Sequence, residues 1–142
     1  RVVRLFGFDP KVAFVSHSTF GQPLTSRTKH IRNAVEILRE RNVDFEFDGD
    51  MQPDVALNEE YKSLYPFSNI VGNANILIMP GQHSAAISYK MIKSMSRAKV
   101  IGPLLIGLGL PIEIAPLRSS TSEILNLASI AAYSADIIDY KK

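Results

Sequence analysis

Short apolar runs alternate with helical segments along most of this chain, and this alternation limits its possible folds more than any other feature. The runs KVAFVS at 11–16 and NILIM at 75–79 have the length and branched residues of buried strands. The segments 26–41, 84–96 and 120–139 repeat apolar residues at helical spacing. The order predicts an α/β fold, with a three-layer, mostly parallel sheet and helices on both faces.

Weaker patterns complete the outline. Residues 1–8 look like the end of a helix, and 55–64 like a short one. The alternating DFEFD at 44–48 predicts a half-exposed strand, DGDMQPD at 48–54 an acidic turn, and 100–108 a further strand. Because the chain opens inside a helical pattern, at Arg1, we expect it to be a piece of a longer polypeptide.

Composition narrows the classes of function. The 142 residues carry a net charge of only +2, with basic residues scattered, which argues against a nucleic-acid-binding face. No apolar run reaches membrane-spanning length and no signal peptide is visible, so we expect a cytoplasmic protein without a membrane partner. The absence of cysteine excludes disulfides and thiolate metal sites.

Three loops follow predicted strands at 16–21, 80–84 and 116–120. In open α/β sheets, ligands bind outside the carboxyl ends of the strands. Hydroxyl side chains and free backbone N–H groups suit phosphate oxygens, although serine and glycine are also the ordinary residues of turns. Both interpretations of these loops stay open on the residues alone.

The third loop leads into the longest predicted helix. Ser120 and Glu123 have the spacing of a capping box, in which each side chain bonds a backbone N–H of the first turn. Such a helix start favours a phosphate or carboxylate, or it simply closes an α/β unit.

Other polar residues allow weaker hypotheses. Asp48, Asp50 and Asp54 could hold a hard cation, or form a solvated or capping acidic turn. His17 and His83 lie in the predicted cleft loops and could contact a substrate, but they lack metal-ligand spacing. No metal site is therefore predicted, and the G-x-G at 107–109 is too short for a dinucleotide fingerprint.

Five segments carry a family resemblance: PKVAFVSHSTFG, DGDMQPDVALN, YPFSNIVGNANILIMP, AAISYKMI and IGPLLIGLGLPIEIAPLRSSTSEILNLASIAA. Together they resemble the later part of the phosphate acetyl/butyryltransferase family. Within it they are most similar to the C-terminal phosphotransacetylase-like domain of NADP-dependent malic enzymes. The resemblance implies two α/β subdomains with an acyl-CoA and phosphate cleft between them. Residues 1–115 would form the second subdomain, and 116–142 a final helix packing on the first.

The resemblance also implies a set of ligand-binding residues for acetyl-CoA and phosphate. Active members carry a Ser-Arg-Gly run before the last helix, where this chain has Pro116, Leu117 and Arg118. A family arginine on the preceding helix falls on Ser94, and a family aspartate falls on Glu123. No catalytic residue is therefore assigned. The expected cleft residues are Ser16, Ser18, Thr19, Gly21, His83, Tyr89, Arg118, Ser119 and Ser120.

Three functions follow from this resemblance. In the first, the domain binds acetyl-CoA or a related CoA ester and regulates malic enzyme catalytic domains of the same polypeptide, where NADP and a divalent metal would bind. In the second it is a working phosphate acetyltransferase, with Arg118 replacing the lost arginine. In the third it only holds a homo-oligomer together through the apolar helix at 120–139. No cofactor is expected within this chain itself.

Overall fold

The computed structural model describes residues 2–137 and contains helices and strands in mixed order. The chain divides into two compact units, Arg1–Tyr89 and Lys90–Lys142, with the boundary inside a helix. The strands are β1 (Lys11–Val15), β2 (Glu46–Met51) and β3 (Ile76–Ile78). The helices are α1 (Val2–Leu5), α2 (Ser26–Glu40), α3 (Pro53–Leu57), α4 (Glu59–Lys62), α5 (Gln82–Met95) and α6 (Thr121–Ile137).

The first unit is built on a parallel sheet with strand order β2-β1-β3. Val12 of β1 stands opposite Phe47 on one side and Ile76 on the other. Parallel neighbours need crossover connections, and here these contain α2 on one path and α3 and α4 on the other. The predicted α/β class with a parallel sheet is confirmed.

A small apolar core lies beside this sheet. Its buried members are Ala13, Met51, Val55, Ala56, Ile70 and Ala74, with Phe20, Tyr65 and Leu77 packed against them. The ring centroids of Phe20 and Tyr65 lie 5.4 Å apart, and those of Phe20 and Phe67 lie 4.8 Å apart. Because Phe20 belongs to the loop after β1, this packing ties a predicted functional loop to the core.

Helix α2 begins with a strong local signal. Thr25 is its N-cap, and its hydroxyl accepts a hydrogen bond from the backbone N–H of Thr28. The Thr28 hydroxyl oxygen accepts in return from the N–H of Thr25 at 2.9 Å, so two N–H groups of the helix start are satisfied. Val35 is buried at the middle of the apolar face.

Two predictions from the sequence are wrong. Residues 48–51 are not a turn, because β2 continues through Met51. The strand extends past Asp48 to Met51, with an irregularity in its pairing at Asp50. Residues 100–108 are not a strand, and none of the described residues from 96 to 120 is in one. Gly102 and Gly107 there have φ of 132° and 81°, and Pro103 has no N–H to donate to a ladder.

The remaining segments agree with the sequence within a few residues, with one refinement. The predicted helix 55–64 is two short helices, α3 and α4, because Asn58 ends the first and caps the second. Its side chain accepts a hydrogen bond from the N–H of Glu60 at 2.9 Å. Residues 138–139 of the last predicted helix and Arg1 of the first lie outside the described residues.

Candidate ligand-binding loops

The Ser16–Gly21 loop leaves the carboxyl end of β1 and contains four of the predicted cleft residues. Ser16, Ser18 and Thr19 are buried, and Gly21 is half-buried. The loop does not run directly into α2, since residues 22–25 intervene. It is therefore placed at the expected edge of the sheet, but not at a helix start.

Asp50 is the residue that holds this loop. Its carboxylate accepts hydrogen bonds from the hydroxyl of Ser18 and from the N–H of Gly21, the latter at 3.0 Å. Its backbone carbonyl accepts from the N–H of Phe20 at 2.6 Å. Asp50 is completely buried, so these bonds replace the water that a carboxylate needs.

The end of β2 makes further bonds to the loop. The hydroxyl of Thr19 accepts a hydrogen bond from the N–H of Gln52 at 3.2 Å. The side-chain amide of Gln52 donates to the carbonyl of His17 at 2.8 Å, while the His17 imidazole stays exposed. Arg32 of α2 covers the other side, because a Cβ on Gly21 would lie 2.5 Å from its Nη1 atom.

The loop at 80–84 leads directly into α5. The hydroxyl of Ser84 donates to the carbonyl of Gly81 at 2.8 Å and so closes the turn. His83 is exposed in the first turn of α5, and Tyr89 is half-buried two turns later. The structure therefore keeps His83 available to solvent, with the ordinary bonding of a turn around it.

The segment at 116–120 leads into α6 in the second unit. The N–H of Ser119 donates to the carbonyl of Pro116 at 2.9 Å, which makes a tight turn. Leu117 is fully exposed at the tip, and Arg118 beside it is exposed as well. Arg118 makes no hydrogen bond or ion pair among residues 2–137, so its guanidinium is free to receive an anion.

The predicted capping box at the start of α6 is confirmed. The N–H of Ser120 donates to Glu123 Oε2 at 2.8 Å, and the N–H of Glu123 donates to the Ser120 hydroxyl at 3.3 Å. Lys93 of α5 donates to the other carboxylate oxygen of Glu123 at 2.7 Å. Together, Lys93 first and then the two donors of Ser120 lower the pKa of Glu123 to about 2.

Glu123 therefore brings its own negative charge to the helix start that a phosphate would use. A cavity of about 10 Å³ borders this point, between Ile101, Gly102, Pro116 and Ser119. That volume holds about one water molecule and no phosphate.

The acidic residues near β2 do not form a cation site. Asp48 is buried and accepts from the N–H groups of Gly49 at 2.9 Å and Asn69 at 2.8 Å, and from Arg39 at 3.2 Å. Asp54 lies exposed in the first turn of α3. Within residues 2–137 no group of three or more histidine, cysteine or acidic side chains could hold a metal ion.

No helix in the described part of the chain is long and apolar enough to span a membrane. The sequence predicted the loops that follow β1 and β3, but none of the described residues from 96 to 120 forms the strand expected before the segment 116–120. It did not reveal the contacts that hold the first and the third of these segments. The sequence predicts a turn at Asp50, whereas the structure places it near the end of β2, where the pairing with β1 is irregular. The pairing of Lys93 with Glu123 joins residues thirty positions apart, and no local pattern reveals such a contact.

A family model supplies the deciding comparison: the model described as phosphate acetyl/butaryl transferase matches residues 1–132. The chain belongs to this family. A phosphotransacetylase from Streptococcus pyogenes has the same fold over 94% of this chain and 41% of its own, with a TM-score of 0.86 and 34% identity.

Relatives of this family member fall into two groups. The NADP-dependent malic enzyme of Rhizobium meliloti is 47% identical over 94% of this chain, which spans only 18% of that enzyme. The phosphate acetyltransferase of Clostridium acetobutylicum is 35% identical over 93% of this chain and 40% of its own length. The chain thus spans less than half of each relative. Its sequence identity to the malic enzyme is higher than its identity to the phosphate acetyltransferase.

Proposed function

We propose that this chain is the later part of a phosphotransacetylase-like domain that binds acetyl-CoA, or a related CoA ester, as a regulator. The regulated activity would be malate oxidation by malic enzyme domains of the same polypeptide. The higher identity to an NADP-dependent malic enzyme supports this context.

One observation carries the choice of regulation over catalysis. Before the start of α6, where the resemblance expects the arginine of a Ser-Arg-Gly run, the chain presents the exposed apolar side chain of Leu117. A phosphoryl-transfer site needs preorganised cationic or N–H donors, and losing one such donor typically slows a reaction by about 10²–10³. This arrangement supports a cleft that binds a CoA ester without efficient transfer.

A working phosphate acetyltransferase is the second candidate. Arg118 favours it, because its guanidinium is exposed and free among the described residues and could bind phosphate through two donors. Homo-oligomer formation alone is the third candidate, favoured by Ile124, Leu125 and Tyr133, which are exposed on α6.

The experiment uses the full-length polypeptide and measures two quantities in one preparation. Acetyl-CoA binding is measured by isothermal titration calorimetry, and acetyl phosphate formation is measured from acetyl-CoA and inorganic phosphate. We expect binding without turnover above background. Turnover that Arg118→Ala abolishes would establish the transferase instead. If acetyl-CoA neither binds nor reacts, and Leu125→Asp abolishes oligomer formation, the domain serves only to hold the oligomer together.

A further inference from the structure

We propose that Asp50 is a positioning residue that holds the Ser16–Gly21 loop in a form suited to an uncharged part of the ligand, and not to its phosphates. The uncharged part is an amide or thioester group such as the one at the acyl end of a CoA ester. This inference rests on the proposed binding of such an ester. Asp50 contacts the loop and not the ligand, so its role is indirect.

The backbone explains why Asp50 points at the loop. Along β1 and β2, Phe14 pairs with Gly49, and the next residue, Val15, pairs with Met51. Asp50 is therefore an extra residue without a partner on β1. Such a bulge locally redirects a side chain out of the regular alternation of a strand. Asp48, two residues earlier, bonds Arg39 and Asn69, whereas Asp50 bonds Ser18 and Gly21.

The backbone donors of the loop are almost all used inside the chain. The N–H of Gly21 donates to the Asp50 carboxylate, that of Phe20 to its carbonyl, and that of Ser18 to the Ser16 hydroxyl. The remaining bonds run from Ser16 to the carbonyl of Met51 and from Thr19 to the carbonyl of Gln22. Only the N–H of His17 is left among residues 16–21. A phosphate bound by backbone groups alone needs several converging N–H donors, and the backbone of this loop does not supply them.

The negative charge of Asp50 also disfavours a phosphate at this loop. The Asp50 carboxylate is completely buried and forms no ion pair with any of residues 2–137. A phosphate beside the loop would place a second negative charge near it in a medium of low dielectric constant, which is unfavourable. The guanidinium of Arg32, beside Gly21, acts against this effect, so the buried charge disfavours an anion less than it would alone.

The loop leaves few hydrogen-bonding side-chain groups for a ligand, and those of Ser18 and Thr19 are uncharged. The Ser18 hydroxyl is completely buried and its proton is committed to Asp50, so it holds the loop and does not face a ligand. The Thr19 hydroxyl accepts from Gln52, and its own proton is not engaged by the described residues. One hydroxyl donor suits the carbonyl oxygen of an amide or a thioester.

The test compares two buried aspartates of the same strand in the full-length polypeptide. In Asp50→Asn, the new amide cannot accept from both Ser18 and Gly21, so the loop loses an anchor. We expect the Kd values of acetyl-CoA and of S-acetylpantetheine, which has no phosphate, to rise by the same factor of about ten. Asp48→Asn removes a buried charge that does not contact the loop, and its Kd values should stay within about twofold of the wild type.

A second readout separates this inference from the proposed function. Amide hydrogen exchange at Phe20 and Gly21 should accelerate in Asp50→Asn and remain slow in Asp48→Asn. If the wild type binds neither ligand, the proposed function fails, and this exchange difference alone decides whether Asp50 positions the loop. If Asp50→Asn does not fold, Ser18→Ala removes one donor and should shift both readouts in the same direction by less.

Two results would overturn the inference. One is unchanged exchange at Phe20 and Gly21 in Asp50→Asn. The other is a loss of acetyl-CoA affinity with S-acetylpantetheine affinity preserved, which would place a phosphate at the loop.

Discussion

Lys93 Nζ lies 2.7 Å from Glu123 Oε1, and this ion pair joins the last turns of α5 to the first turn of α6. The same carboxylate caps α6 through Ser120, so one side chain serves both a helix–helix contact and a helix start. In the second unit, where few side chains are buried, such polar contacts carry much of the local organisation.

The pair predicts a pH dependence of the α6 start. Because the pKa of Glu123 is lowered from 4.5 to about 2, its stabilising contribution is complete above pH 4.5 and is lost as the pH falls through about 2. We expect Lys93→Gln to raise the Glu123 pKa back towards 4.5, measured by NMR titration of the side-chain carboxyl carbon. Lys90→Gln on the same helix is the control, and an equal effect of both substitutions would refute the assignment.

We expect the substitution Lys62→Met to stabilise the fold, which is unusual for a buried position. It is buried, and its Nζ has no hydrogen-bond partner among residues 2–137. Burial lowers its pKa, and the positive charge of Lys11 lowers it further, while Glu59 and Glu46 act against the shift. A buried donor without a partner costs about 1–3 kcal/mol, so Lys62→Met should raise the unfolding free energy at pH 7.

The penalty at Lys62 should disappear at high pH. Since the fold disfavours the charged amine, the wild type should gain stability relative to Lys62→Met as the pH rises towards 10.5. Urea unfolding at pH 7 and pH 10 measures both effects, with Lys29→Met, at an exposed position of α2, as the control. Lower stability of Lys62→Met than wild type at pH 7 would mean that the amine has a favourable partner.

We expect a side chain at Gly49 to destabilise the fold strongly. Its φ is 154°, and a Cβ there would lie 2.7 Å from Phe14 Cβ and 2.8 Å from the Phe14 carbonyl oxygen. Gly49→Ala should therefore lower the unfolding free energy by about 2–3 kcal/mol in urea titration. Gly81→Ala, which meets nothing within 4 Å, is the matched control and should change it by less than about 1 kcal/mol. Equal stability of the two variants would show that β2 can move away from β1.

We expect the substitution Leu117→Arg to increase acetyl phosphate formation. The side chain is fully exposed, so Leu117→Arg should change the unfolding free energy by no more than about 0.5 kcal/mol. If the missing arginine is what keeps the cleft from transferring acetyl groups, acetyl phosphate formation should rise at least about tenfold over wild type. Leu117→Gln is the uncharged control, and no gain from arginine would mean that other parts of the site are also lost.

Local patterns predicted the helices and the parallel class well. Helix α2 followed from its apolar repeat, and the cap of α6 followed from Ser120 and Glu123 alone. These features depend on contacts within a few residues along the chain, which the sequence displays directly. The family resemblance added the expectation of an acyl-CoA and phosphate cleft and of the residues that line it.

What could not be predicted depends on distant contacts or on a local irregularity. The bulge that turns Asp50 towards Ser18 depends on the pairing of β2 with β1, thirty-five residues away in the Lys11–Glu46 register. The run at 100–108 has the apolar composition of a strand, yet Gly102, Pro103 and Gly107 prevent regular pairing. An apolar composition indicates that a segment favours burial. Whether it can pair as a β-strand depends on its backbone conformation.

The most direct test of regulation by a CoA ester is the rate of malate oxidation by the full-length polypeptide, measured with and without acetyl-CoA at subsaturating malate. The account predicts that acetyl-CoA changes this rate, and that Asp50→Asn shifts the effect to higher acetyl-CoA concentrations while leaving the rate without acetyl-CoA unchanged. A malate oxidation rate that is identical at all acetyl-CoA concentrations would contradict it.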